Sequence, residues 1–135
     1  MKTFLCSNRD KLLAKINGQL AFLEVALKAL KDADIGEKLV THMHRGITAI
    51  RGTLRTAESP ELEVFVCDLE DLLGLICAGE LELSPKMVAL LRFSTSALSQ
   101  GVDALRHDES VEDAIKEARD AVFSLLLDHA VTVRR

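Results

Sequence analysis

The chain has 135 residues, 48% of them hydrophobic and 28% charged, with a formal net charge of −4. That length fits one domain, and the balance excludes both a disordered chain and a membrane span. Aromatics make up only 4%, five Phe with no Trp or Tyr, and two Pro and seven Gly break few elements, so a Leu, Ala, Val and Ile core predicts packed helices and argues against an aromatic platform for nucleic acid or carbohydrate.

The first predicted helix is KLLAKINGQLAFLEVALKALKDA. Leu12, Leu13, Ile16, Leu20, Leu23, Leu27 and Leu30 recur near a 3.6 period, the mark of an amphipathic helix. Asn17-Gly18 is also a turn signal, so fraying or a bend is expected there. Asp32 to Gly36 breaks the pattern.

The second helix runs from about Glu37 to Thr56, with Leu39, Met43, Ile47, Ile50 and Leu54 as its core stripe. Gly46 and Gly52 each cost up to ~1 kcal/mol against Ala. Two such costs in one helix imply close helix packing or close approach of a partner.

Ser59-Pro60 and Ser84-Pro85 open the next two helices alike, a capping hydroxyl at N-cap and a proline at N1. The third carries Leu62, Phe65, Val66, Leu69, Leu72, Leu73 and Ile76 and stops at Gly79, a good residue to follow a helix end. The fourth carries Met87, Leu90, Leu91, Ser94, Ala97, Leu98 and Val102 and ends near Leu105. After a polar break, with Asp108 or Ser110 as cap, a fifth helix turns Val111, Ala114, Ile115, Ala118, Val122, Leu125, Leu126 and Val131 inward. His129, Arg134 and Arg135 at its end suit the macrodipole. The expected architecture is all-α: an antiparallel four-helix bundle with an additional C-terminal fifth helix, over residues 1–135 as a single domain.

Charge is uneven along the chain. Residues 1–67 hold ten basic and eight acidic groups, and residues 68–135 hold seven and thirteen. Nothing is basic enough for a nucleic-acid footprint. Cys6, Cys67 and Cys77 have no paired spacing and read as buried, reduced thiols of a cytoplasmic protein. The start, MKTFLCSNRDK, lacks a long apolar stretch, and no run approaches a spanning length, so neither secretion nor membrane insertion is expected.

The motifs that carry chemistry are mostly missing. No Gly-rich phosphate loop, HExxH, CxxC or calcium-loop pattern occurs, so no cofactor, metal or ATP site is expected. Asp68, Glu70 and Asp71 read as the solvated edge of a helix. His42 and His44 are two apart and point to different sides of theirs. What remains is one side of the second helix, where Thr48, Arg51 and Arg55 set a hydroxyl beside guanidiniums next to Gly52. Arginine at such a place can hold phosphate or carboxylate bidentately; a solvated face with scattered arginines is the plainer reading.

This stretch reads Thr48-Ala49-Ile50-Arg51-Gly52, with Glu70 22 residues after Thr48 inside a leucine-rich helix, followed by Ala78-Gly79-Glu80-Leu81-Glu82-Leu83 and Ser84-Pro85-Lys86-Met87. From Thr48 through Arg106 it resembles a histidine phosphotransfer (HPt) domain of the chemotaxis-kinase type. That family has a phosphorylated His on its second helix, followed by a small residue, an aliphatic, Lys and Gly, and a Glu at the same offset. The departures are definite. Thr48 stands at the acceptor position, Arg51 for Lys, Thr53 for a second Gly, and Cys67 where chemotaxis kinases often have His; Gly52 and Glu70 are retained. His44 lies one turn early, lacks the flanking pattern, and would lose the Glu70 offset if chosen instead.

What the resemblance implies is a domain of two-component signalling whose acceptor is degenerate, as in some domains of the large chemotaxis-like kinases of type IV pilus systems. In the family the Glu orients the acceptor ring and the Lys helps neutralise the phosphoryl group, a division of roles common to orienting carboxylates. Threonine has no nucleophilic nitrogen, and its phosphoester does not pass on readily. The expected role is therefore docking of a response-regulator receiver domain or a histidine kinase, with Thr48, Arg51, Gly52 and Glu70 as the pseudo-acceptor site and His44, Arg55 and Cys67 as auxiliaries. At most the chain would accept a phosphoryl group; it would not catalyse the transfer itself. The competing expectation is a helical interaction or dimerisation module with no phosphotransfer heritage.

Overall fold

The structure is a computed structural model that describes residues 2–29, 36–57 and 59–133, with the side chains of residues 2–9, 37, 57 and 133 outside that description. Leu30, most of the predicted break before Gly36, the Cys6 side chain, Arg134 and Arg135 fall outside the described residues. Among the described residues five helices follow one another: α1 Lys2–Ala29, α2 Gly36–Ala57, α3 Pro60–Cys77, α4 Pro85–Arg106 and α5 Val111–Val133. The described residues contain no strand, and none of their helices is long and apolar enough to cross a membrane.

Helix α1 begins nine residues before its predicted start and continues unbroken through Asn17-Gly18. Both residues are exposed, and a side chain added at Gly18 would meet nothing within 4 Å. Ile16 and Leu20, flanking them, are buried. Burying two large aliphatic chains outweighs the ~1 kcal/mol that one helical glycine costs, which is why the turn signal goes unused.

The two Ser-Pro starts behave differently. At α4 the Ser84 hydroxyl accepts a hydrogen bond from the Met87 N–H at 3.2 Å. At α3 the Ser59 hydroxyl makes no cap; it is buried without a partner among the described residues. The two carbonyls behave alike, Ser59 accepting from the Glu63 N–H and Ser84 from the Val88 N–H. Helix α3 closes as predicted around Gly79, whose φ of +78° is the left-handed geometry that glycine adopts freely. Ser110, rather than Asp108, caps α5 through the Asp113 N–H.

The buried apolar side chains form one cluster drawn from all five helices. In it α1 packs on α2 and α4, α2 on α3, and α5 on both α4 and α3, whereas α3 and α4 barely touch each other directly. The fifth helix fills the space between them with Val111, Ile115, Ala118 and Val122. Where α3, α4 and α5 meet, Gly101 lies so close to its neighbours that a Cβ there would come within 2.8 Å of both Leu62 and Ile115. Beyond Val122 the inward pattern of α5 ends. Leu125 and Leu126 are half-buried, and Val131, expected inward, is 50% exposed together with Phe123 and Leu127. The thiols are also more open than expected: Cys67 is half-buried and Cys77, in the last turn of α3, is exposed.

Candidate interaction site on the second helix

From Lys38 to Ala57 the sequence of α2 contains four basic residues and no Asp or Glu. Its core stripe seats it: Met43, Ile47, Ile50 and Leu54 are buried as expected, while Val40 is buried in place of Leu39, which is only half-buried, and the rows between them turn toward solvent. Arg45, Thr48, Ala49, Gly52 and Arg55 are exposed, and Arg51 sits at the margin. Thr53 is only 8% exposed, and its hydroxyl donates to the Ala49 carbonyl. The two interior glycines of α2 differ in their surroundings. A Cβ at Gly46 would stand 3.2 Å from Leu23 of α1, so close helix packing accounts for it; one at Gly52 would meet nothing within 4 Å.

The seam with α3 carries the polar contacts. Arg51 Nη1 donates to Glu70 Oε1 at 2.6 Å, an ion pair whose side chains are 33% and 14% exposed. Among the described residues, Glu70 Oε2 is buried without a hydrogen-bond partner. Glu70 is thus no part of a solvated edge, because α2 covers it. Toward the start of α2, the half-buried His44 ring lies over Gly74 of α3, where a Cβ would come 3.6 Å from Nε2. Nearer still to that start, Thr41 Oγ1 and Cys77 Sγ are 4.0 Å apart. Contacts at 51 and 70, 44 and 74, and 41 and 77 show that α2 and α3 run in opposite directions along this seam. At its Thr41 end a cleft of about 460 Å³ opens between Val40, Ile76, Cys77, Leu81 and Leu83.

Thr48 is exposed, and its hydroxyl donates to the His44 carbonyl at 2.9 Å, one turn back on its own helix. The expected site residues therefore divide. Arg51 and Glu70 meet; Thr48 is tied to the main chain of His44; Gly52 and Arg55 are open to solvent; and Cys67 lies half-buried on α3, three residues before Glu70. No group of three or more His, Cys, Asp or Glu among the described residues is arranged to hold a metal ion.

Two features escaped the sequence reading. Gly74 in the middle of α3 makes room for His44; an interior glycine was the available signal. Asp68 lies within reach of α5 rather than α2. Partial burial, and secondarily the Asp71 charge, push its carboxyl above the ordinary aspartate range, against the opposing pull of Arg119.

Fold and site together define an all-α helical bundle with a basic, hydroxyl-bearing helix face crossed by one mostly buried ion pair. No family model, curated protein or solved structure matches the chain.

Proposed function

We propose that this chain is a phosphorelay signalling domain resembling histidine phosphotransfer domains, which docks a receiver or histidine kinase domain instead of passing phosphate. In this reading α1 to α4 correspond in chain order to the family's antiparallel four helices, with α5 an added helix wedged between α3 and α4, and a cytoplasmic location goes with it. The observation that supports it best is the reach of Glu70, at the family offset from Thr48, onto Arg51, one helical turn beyond Thr48. An open glycine and the exposed Arg45 and Arg55 on the same side as that pair suit a protein surface that approaches closely and carries negative charge.

The test is an NMR titration of the labelled protein with a panel of receiver domains. Shifts clustered on residues 44–55 and 66–74 are expected; silence from every receiver and kinase overturns the reading. Incubation with a phosphorylated receiver should leave no acid-labile phosphate on the chain. Stoichiometric label abolished by His44→Ala would move the acceptor to His44, and acid-stable phosphothreonine lost in Thr48→Ala would make Thr48 a target.

A second reading, an interaction or dimerisation module without signalling heritage, draws on a different region. Phe123, Leu127 and Val131 recur every four residues on α5 and are each about half exposed. Sedimentation of the wild type and of a Phe123→Ser, Leu127→Ser variant separates the two: concentration-dependent association lost in the variant favours the module.

A further inference from the structure

We propose that the Arg51–Glu70 pair is an autoinhibitory contact: Glu70 keeps the basic face of α2 closed to phosphate and phosphate esters. Partner docking here would then be blind to whether the partner carries a phosphoryl group. Exclusion of the anion depends on this chain alone; the consequence for a partner rests on the docking reading above.

Three observations carry it. The first is composition. Arg45, Thr48, Arg51 and Arg55 fall along one side of a helix that has no acidic residue between Lys38 and Ala57, and Gly52 leaves the surface beside them open. Such a row of donors is suited to a dianionic group, with Arg51 as its central and least exposed member. The second is occupancy. The negative charge at Arg51 is supplied from α3, by a carboxylate only 14% exposed and 2.6 Å from the guanidinium. An incoming phosphate must compete with Glu70 at the one arginine held between the helices. The third is the cost of losing the pair. Among the described residues Glu70 Oε2 already lacks a hydrogen-bond partner, so removing Arg51 would leave the carboxylate buried without its ion pair, the arrangement that proteins pay for most heavily. Even allowing for the exposure of Arg51, that penalty suppresses anion affinity by about tenfold or more. The Thr48 hydroxyl proton is likewise occupied, on the His44 carbonyl.

The probe is phenyl phosphate at constant ionic strength and neutral pH, read by amide shifts of residues 45–55. Wild type should show weak, non-saturating shifts, the same as with sodium sulfate. Glu70→Gln, which frees Arg51 and puts a neutral amide in the buried place, should bind at least about tenfold tighter, and Arg51→Gln in that background should abolish the gain. Glu70→Met serves if the amide variant does not fold, because it fills the same space without charge. Equal affinity in wild type and both Glu70 variants overturns the proposal, as does saturable wild-type binding that Glu70→Gln leaves unchanged. The docking reading fails separately. If Glu70→Gln gains phenyl phosphate while no receiver binds either protein, the contact is real and the partner is wrong.

Discussion

The seam between α2 and α3 and the junction of α3, α4 and α5 use the same small residue for different ends. At the junction Gly101 is pressed against Leu62 and Ile115, and the surroundings are apolar. Along the seam a Cβ at Gly52 would meet nothing, with an ion pair next to it and, further toward the start of α2, a histidine over Gly74 and a hydroxyl near a thiol. A glycine filled by its neighbours reports on packing. A glycine left open, as Gly52 is, has no packing explanation.

The largest effect should come from Gly101→Val. Overpacking costs about 1–3 kcal/mol, a β-branched residue adds to it here, and thermal or urea unfolding should show the loss. The same kind of change at Gly52 should have the opposite sign: Gly52→Ala should gain up to ~1 kcal/mol from helix propensity alone, yet weaken any partner that approaches the backbone there. If Gly52→Ala destabilised the fold, the contrast between the two glycines would collapse. Next come the caps, where Ser84→Ala should lose about 1 kcal/mol and Ser59→Ala little or nothing, since only Ser84 holds a backbone N–H.

Smallest is a pH effect on α3. Because the folded-state value of Asp68 is raised, the folded form binds more protons than the unfolded chain, and stability falls as pH rises through that value. In Asp68→Asn this fall disappears. The variant should therefore gain on wild type between acid and neutral pH and hold a constant lead above, as read from urea midpoints across pH.

Helix positions and most of the core were legible in the sequence, because burial follows a single period on each helix: Leu62, Phe65, Val66, Leu69, Leu72 and Leu73 all lie inside. What a period cannot show is which neighbour stands opposite. Asp68 and Glu70 are two residues apart in a run that looks solvated, yet Glu70 meets α2 and Asp68 feels α5. Ser59 and Ser84 have the same local sequence, but Ser59 has a ψ of 92° against 166° for Ser84, and its hydroxyl is drawn inside instead of onto the helix end. At the candidate site the sequence suggested Thr48, Arg51 and Glu70 as neighbours; it could not show that Arg51 and Glu70 satisfy each other while Thr48 turns to its own main chain.

The near absence of direct contact between α3 and α4 has a consequence for dissecting the molecule. With α5 lying between them, the last helix is a keystone: cutting the chain after Arg106 would open a trough along Leu62, Leu98 and Val102 where Val111, Ile115, Ala118 and Val122 had been. A truncated four-helix piece would therefore stick to itself, and binding measured on it would report the wound and not the native surface.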